Sequence, residues 1–132
     1  DCPFSDPSII DFLIKKYFKG NYDYASNVNP PTFPNGFDVE IFKLKIAEKS
    51  LLLFKSSKNL EHVTYAIRNK KMRKKLIKKT YNLSIKKNIN DLRLTLDNSE
   101  DLKNIKKLVN YVKINDTWKQ IYFKFKKLNN EK

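Results

Sequence analysis

"DLRLTLDNSEDL", residues 91–102, joins the pattern of a half-buried strand to the start of a helix. Leucines at every second position from 92 to 96 alternate with polar residues, which predicts a strand with one buried face. Asn98 or Ser99 is the predicted N-cap of the helix that follows. The apolar stripe of this helix comprises Leu102, Ile105, Leu108, Val109 and Val112. Asp97 therefore lies at the carboxyl end of a predicted strand, directly before a helix.

Strands and helices also alternate in the rest of the chain. Asp6 and Pro7 predict the N-cap and first residue of a helix that Gly20 ends. The other predicted elements are a strand within 22–28, a loop over 29–36, a strand over 37–42, a helix over about 44–54, a helix that carries residues 61–67 and a strand around 75–81. The last segment, which includes Trp118 and Phe125, fits either a helix or a strand.

This order of elements predicts an α/β or α+β layered domain, with residues 1–132 as a single domain. Ligands bind outside the carboxyl ends of strands in open α/β sheets. The opening "DCP" stands before a helix that starts with proline, so it resembles the end of a strand. We therefore expect Asp1 to follow a strand whose other residues precede this sequence.

Composition narrows the class of protein. The formal net charge is +14, which is typical of binders of nucleic acid or anionic surfaces. Only Arg68, Arg73 and Arg93 are arginines, however, and Arg is the residue that groove readers favour. The basic run 68–79 is interpreted as a solvated face, with phosphate-backbone binding as the alternative. A small Lys-rich binding module for nucleic acid or anionic polymer remains a rival prediction.

The cysteine count and the hydropathy bear on the compartment. A single cysteine, Cys2, excludes an internal disulfide and a zinc spacing, so a reducing cytoplasm is predicted. We expect Cys2 to be buried and inert. No apolar stretch approaches the roughly 18 residues that span a bilayer, so no membrane partner is expected.

Asp1 and Asp97 form a candidate metal site. If their strands are neighbours in one sheet, both carboxylates lie at the same edge. Mg²⁺ takes oxygen ligands, usually one or two of them from protein carboxylates, and keeps room for phosphate oxygens. The alternative for Asp97 is a simple helix cap, because Asp is common at such junctions.

Other polar residues are weaker candidates. Asp38 and Glu40 share one face of a predicted strand and suit either a pocket for a hydroxyl-rich ligand or a solvated edge. His62 is either an acid–base group or a hydrogen-bonded structural residue.

Several segments, taken in order, resemble one family. The chain resembles the cytidylyltransferases that include the SpsF-type spore-coat polysaccharide biosynthesis proteins and the acylneuraminate cytidylyltransferases. The matching segments are "DCPFSDPSIIDF", "DYASNV", "FPNGFDVEIF", "EHVT" and "DLRLTLDNSEDL", which fall within residues 1–102.

The resemblance implies a GT-A-like nucleotide-diphospho-sugar transferase fold, with a mixed sheet flanked by helices. It implies transfer of CMP from CTP to a sugar acid, release of pyrophosphate and a requirement for Mg²⁺. Asp1 and Asp97 match the family's metal-site and catalytic carboxylates. Five residues fall in segments that border the family's acceptor-sugar pocket: Gly36, Asp38, Glu40, Glu61 and His62.

The sequence also departs from this family. Its N-terminal nucleotide-binding half has no counterpart here, so we expect the C-terminal portion of such an enzyme, inactive as this chain alone. Leu60 stands where Arg is common before "EHVT", and Tyr65 stands where Pro is usual. A pseudoenzyme that serves oligomer contacts, and a homodimer, remain alternatives. No specific nucleic-acid partner is expected.

Overall fold

The computed structural model describes residues 1–130, with a small mixed sheet at its centre. The strands are β1 (Tyr24–Ser26), β2 (Glu40–Phe42) and β3 (Thr80–Asn82), in the spatial order β2-β1-β3. β1 pairs antiparallel with β2 and parallel with β3. The helices are α1 (Pro7–Gly20), α2 (Leu44–Leu53), α3 (Ser57–Glu61), α4 (Tyr65–Arg68), α5 (Lys70–Leu76), α6 (Ser99–Val109) and α7 (Trp118–Asn130). The predicted α/β class, a mixed sheet flanked by helices, is confirmed.

Helix α1 begins as predicted, because its N-cap interaction is local in sequence. The buried carboxylate of Asp6 accepts a hydrogen bond from the Ser8 N–H at 2.7 Å. Its second oxygen accepts the Trp118 N–H at 2.8 Å, so one carboxylate serves the first residues of both α1 and α7. At the other end, Gly20 is still helical, and Asn21 takes the left-handed conformation with φ 45°.

The core has two parts, which β1 connects. Neighbouring residues of a strand point to opposite faces of the sheet. Ala25 accordingly joins the larger cluster, which includes Phe4, Ile9, Leu13, Phe37, Leu94, Ile105, Leu108 and Ile121. Tyr24 joins the smaller cluster, with Ile46, Ala66, Ile67, Leu76 and Ile77. The two clusters therefore share the strand that leads into the candidate site.

The segment 92–96, which was predicted to be a strand, does not pair with another strand of the sheet in the described residues. The segment is extended, but in the described chain it forms only one isolated bridge, between Asn35 and Arg93. Asn35 accepts the Leu94 N–H at 2.8 Å and donates to the Leu92 carbonyl at 2.9 Å. Leu94 is buried, whereas Leu96 remains 37% exposed. The alternating leucines therefore indicated one-sided burial, and no ladder of hydrogen bonds accompanies it.

Other predictions need smaller corrections. The helix expected to carry residues 61–67 is broken at His62, which ends α3 before α4 begins. The strand expected around 75–81 is confined to β3, because α5 continues to Leu76. In α6, Leu102 and Val109 are exposed, and Asp101 is buried beside Ile105 and Leu108. The last segment, which fitted either element, is the helix α7.

No helix within residues 1–130 has both the length and the apolar character needed to cross a bilayer.

Candidate functional site

The structure brings Asp1 next to the end of the extended segment 92–96. The Leu96 N–H donates to the Asp1 carbonyl at 2.8 Å, and Asp97 is the following residue. Both Asp residues are exposed. The expected convergence of the two chain segments is therefore present in the backbone, and the role of their carboxylates in binding a metal stays a prediction.

The Cys2 thiol lies close enough to Asp38 and Asp97 for their charges to act on it. The thiol is half-buried, so the expectation of a buried cysteine is only partly correct. Burial raises the pKa of the Cys2 thiol, and the nearby charges of Asp38 and Asp97 raise it further. Asp38 and Asp97 are far apart in the sequence, yet both lie near the Cys2 thiol in the structure.

Asp97 belongs to an ion-pair cluster at the start of α6, which we call the Arg93 cluster: Arg93, Asp97 and Asp101. The Arg93 Nε donates to Asp101 Oδ1 at 3.0 Å, and its Nη2 donates to Asp101 Oδ2 at 3.0 Å. Arg93 Nη2 also pairs with the Asp97 carboxylate. Asn98 is the N-cap, and its side chain accepts the Asp101 N–H at 2.9 Å. Asp97 is therefore not the cap of α6.

Gly36 brings the Asp38 segment against the Asp97 segment. Its φ is +112°, a conformation that L-residues with a side chain rarely adopt. A Cβ added at Gly36 would lie 2.8 Å from the Leu94 carbonyl carbon and oxygen. Gly36 was predicted to border the acceptor pocket. In the structure it allows two backbone segments to come into close contact, because only glycine leaves room there.

A buried asparagine holds the next residues in place. The Asn27 side chain donates to the Phe37 carbonyl at 2.7 Å and accepts the Val39 N–H at 2.8 Å. Asp38 lies between these two anchored residues. Its pKa is raised by partial burial and by the nearby charge of Glu40, while Arg68 acts in the opposite direction.

Glu40 is the centre of a second cluster, which we call the Glu40 cluster: Tyr24, Glu40, Thr64 and Arg68. The Glu40 carboxylate accepts hydrogen bonds from Arg68 Nε at 3.0 Å, Arg68 Nη2 at 2.6 Å and Thr64 Oγ1 at 2.8 Å, and it also accepts the Tyr24 hydroxyl. The Glu40 side chain is 13% exposed, so the solvated-edge alternative is wrong for this residue.

The charges of this cluster follow from its contacts. Burial raises the pKa of Glu40, but hydrogen bonds from Arg68 and Tyr24 outweigh burial and hold the pKa below its usual value. Burial and the bond to Glu40 raise the pKa of Tyr24. Glu40 is thus a fixed carboxylate that orients Arg68.

Arg68 lines two clefts. One, the Glu61 cleft, has a volume of about 440 Å³ and is lined by Glu61, His62, Val63, Thr64, Tyr65 and Arg68. The other, the Asp38 cleft, has a volume of about 230 Å³ and is lined by Val28, Pro31, Phe33, Asn35, Asp38, Arg68 and Asn90. Of the predicted pocket residues, Asp38 lines the Asp38 cleft, and Glu61 and His62 line the Glu61 cleft. Gly36 and Glu40 line neither cleft, and Glu40 holds Arg68 instead.

Glu61 and His62 lie at the end of α3 and are both largely exposed. Their side chains approach to 4.0 Å, the distance between Glu61 Oε1 and His62 Nε2. The His62 N–H donates to the Lys58 carbonyl at 2.9 Å, and both roles suggested for its imidazole stay predictions. Its imidazole remains available to the Glu61 cleft.

Sequence reasoning missed three residues that shape these clefts: Asn27, Thr64 and Arg68. Arg68 was grouped with the basic run 68–79, although it is one of only three arginines in the chain. An arginine in a chain with so few of them, four residues after "EHVT", could have indicated a specific role for Arg68. For the metal, residues 1–130 contain no group of three or more His, Cys, Asp or Glu side chains that could hold an ion.

The similarity of this chain to a known protein is found in its three-dimensional structure. Neither a protein-family model nor a curated protein matches the chain. The chain is similar to a cytidylyltransferase from Leptospira borgpetersenii serovar Hardjo-bovis (strain JB197), with a TM-score of 0.83 and 25% sequence identity. The match covers 98% of this chain and 54% of that one, so the chain spans about half the length of its structural neighbour.

This likeness supports the cytidylyltransferase part of the predicted resemblance. The chain has a mixed α/β structure that matches the fold of a cytidylyltransferase. The SpsF-type and acylneuraminate-type assignments remain predictions.

Proposed function

We propose that this chain supplies the acceptor-binding and metal-binding part of a cytidylyltransferase that transfers CMP from CTP to a sugar acid. The observation that carries the proposal is the structural likeness to a cytidylyltransferase over 98% of the chain. The Asp38 cleft supports it, because Asn35, which lines this cleft, binds the backbone of the 92–96 segment that leads to Asp97. The complete activity would also require the portion that corresponds to the remainder of the structural neighbour.

The reaction places few demands on covalent chemistry by the protein. The acceptor hydroxyl oxygen forms a bond to the α-phosphorus of CTP, the bond to the β-phosphate oxygen breaks, and pyrophosphate leaves as the hydroxyl proton passes to solvent. Catalysis of this kind depends on positioning and electrostatics. In this proposal, the residues of the two clefts hold the acceptor beside Asp1 and Asp97.

The donor set of Asp1 and Asp97 fits Mg²⁺ in kind. Mg²⁺ is usually held by one or two carboxylates and keeps several waters or substrate oxygens. When bound, it would neutralise charge on the phosphates. Asp97 retains accessible carboxylate surface, since its side chain is 48% exposed beside Arg93.

The finer features are part of the same proposal. They are a GT-A-like fold, a role in surface-polysaccharide or nonulosonate-type sugar biosynthesis, a cytoplasmic location and a homodimer as the alternative to a monomer.

The test uses the natural polypeptide, captured from its source cells with an antibody against this chain. Its intact mass is measured first, and pyrophosphate release is then followed with CTP, Mg²⁺ and a panel of sugar acids that includes N-acetylneuraminate. We expect release with CTP, much less with UTP, and loss of activity with a chelator that added Mg²⁺ restores. Absence of release with every sugar acid would overturn the proposal.

A matched pair of variants tests the carboxylates. Asp97→Ala in the same polypeptide should lower kcat by about a hundredfold, the scale on which loss of one electrostatic group acts. Glu48→Ala removes an exposed carboxylate of α2 that lines neither cleft and should retain full activity. Equal activity in the two variants would remove Asp97 from the metal site.

A further inference from the structure

Glu40 binds one side of the Arg68 guanidinium, and no side chain of the described residues 1–130 binds its end. Nε and Nη2 donate to the two oxygens of Glu40, at 3.0 and 2.6 Å. Within residues 1–130, no acceptor lies within hydrogen-bond distance of Nη1. A guanidinium carries five N–H donors in a fixed plane, so its end remains free to bind a second planar group.

Arg68 is also fixed before any ligand arrives. Glu40 is held by the Tyr24 and Thr64 hydroxyls, and Tyr24 itself is 1% exposed. The Arg68 side chain is nevertheless 44% exposed, and the residue lines both the Asp38 cleft and the Glu61 cleft. A long side chain normally loses rotamer entropy on binding. Here Glu40 has already limited that loss.

The surrounding charges favour a particular ligand. The charges of Glu40 and Asp38 act on the Arg68 guanidinium, and Glu61 lines the same cleft as Arg68. A dianionic phosphate would meet more repulsion from them than a monoanionic carboxylate would. A carboxylate also matches the planar fork of Arg in bidentate geometry. The neighbouring polar groups of the Asp38 cleft, Asp38, Asn35 and Asn90, suit the hydroxyl groups of a sugar.

We propose that the free end of the Arg68 guanidinium binds the carboxylate of the acceptor sugar acid, while the Asp38 cleft receives its hydroxyl groups. This inference rests on the proposed function and names the residue that distinguishes an acidic sugar from a neutral one. Glu40 then acts as a positioning residue, because it touches Arg68 and lines neither cleft.

The first experiment measures binding to the natural polypeptide by isothermal titration calorimetry and ligand-observed NMR. The probes are N-acetylneuraminate, its methyl ester and glucose 6-phosphate. We expect the free acid to bind about tenfold or more tightly than the ester, as loss of a charged hydrogen-bond pair implies. Equal affinity for acid and ester, preference for the phosphate, or no binding of the acid would each overturn the inference.

Matched variants locate the effect. Arg68→Gln should reduce the affinity for the acid to that for the ester and leave the ester unchanged, and Arg68→Lys should restore part of it. Arg73→Gln makes the same change in α5, outside both clefts, and should behave as the wild type. If Arg68→Gln fails to fold, Arg68→Lys, which keeps the charge beside Glu40, carries the comparison. Acid selectivity unchanged in Arg68→Lys and Arg68→Gln would contradict the proposal.

A kinetic readout separates this inference from the proposed function. In the natural polypeptide, Arg68→Gln should raise KM for the sugar acid at least tenfold and change KM for CTP little. Pyrophosphate release with an unaltered KM for the acid would leave the transferase activity standing and reject the role of Arg68. Acid binding through Arg68 without any pyrophosphate release would support the role of Arg68 and reject the transferase activity.

Discussion

The Glu40 cluster and the Arg93 cluster use the same chemistry for different purposes. In each, an arginine donates hydrogen bonds from Nε and Nη2 to a largely buried carboxylate. Arg68 binds Glu40 in this way, and Arg93 binds Asp101. The Arg93 cluster is local, since all its members lie within residues 93–101. The Glu40 cluster joins β1, β2, α4 and the turn before α4. One cluster fixes a turn of the chain, and the other fixes how separate elements meet.

The second difference concerns what remains free. Arg93 is shared between Asp101 and Asp97, which leaves it engaged on two sides. Among the residues that the structure describes, Arg68 pairs only with Glu40, and it faces two clefts. An arginine that is saturated by carboxylates suits a structural role, whereas one that is held on a single side suits recognition of a ligand.

Glu40→Ala should produce the largest loss of stability. It leaves Arg68 without its partner and the Tyr24 hydroxyl without an acceptor in a buried position. Breaking a buried, hydrogen-bonded ion pair costs about 3 kcal/mol of unfolding free energy. Urea denaturation followed by circular dichroism measures it. Glu48→Ala, at an exposed position of α2, is the control and should change the unfolding free energy little. A Glu40→Ala loss no greater than that of Glu48→Ala would mean that the cluster contributes nothing to the fold.

Gly36→Ala should rank second, because Gly36 lies where the segments of the two clusters touch. Its positive φ and the 2.8 Å approach to the Leu94 backbone leave no room for a methyl group. Backbone strain of this kind costs about 2 kcal/mol. Gly20→Ala is the contrast, because Gly20 lies in α1 without a positive φ and the added atom would meet a side chain, the Tyr22 ring, and not backbone. If both variants lose the same stability, the close approach at Gly36 is not what holds the two segments together.

The ends of the helices could be predicted because their signals are local. Asp6 and Pro7 specify the start of α1 through a carboxylate two residues from the N–H it caps. The same holds for Asn98 at the start of α6. Alternating leucines, in contrast, report only that one face is buried. They did not reveal that the partner of the 92–96 segment is the single residue Asn35.

The candidate site was predicted in part. The approach of the Asp1 and Asp97 segments was expected from predicted strand ends. It is present through the Leu96–Asp1 hydrogen bond, although neither segment belongs to the three-stranded sheet of the described residues. The role of Arg68 could not be read in the same way, because its partner Glu40 lies 28 residues away in the sequence. Glu40 shares a predicted face with Asp38, but the pattern does not show that one side chain turns inward and the other lines a cleft.

The pH dependence of stability should show a smaller effect that depends on the Glu40 cluster. The pKa of Glu40 is held below its usual value of 4.5, since the bonds from Arg68 and Tyr24 outweigh burial. The folded state therefore binds fewer protons than the unfolded state near that pH, and this stabilisation is lost as the pH falls from 4.5 through the lowered pKa. Asp38 acts in the opposite sense, because its pKa is raised.

Thermal melts between pH 7 and pH 3 provide the measurement. Wild type should lose more of its Tm over this range than Glu40→Gln, whose amide does not titrate. Parallel curves for the two proteins would show that Glu40 has the same pKa in the folded and unfolded states.

Asp101→Ala and Asp97→Ala should separate the two carboxylates that share Arg93. Asp101 accepts hydrogen bonds from Arg93 and from the Asp97 N–H, and it lies in the first turn of α6, where a negative charge is favourable. Its removal should lower Tm clearly, although less than Glu40→Ala does. Asp97 makes an ion pair with Arg93 at an exposed position, and such pairs contribute less than about 1 kcal/mol.

Asp97→Ala is therefore the smallest expected change in stability, and its small size is what makes it informative. A carboxylate that contributes little to the fold, and yet follows the residue that binds the Asp1 carbonyl, is free to serve a ligand. Tm should stay within about 1–2 °C of the wild type, while kcat of the natural polypeptide falls about a hundredfold. If instead Asp97→Ala lowers Tm as much as Asp101→Ala, Asp97 belongs to the structural core of the Arg93 cluster. The metal site would then have to be sought among the other carboxylates near Cys2, of which Asp38 is the first candidate.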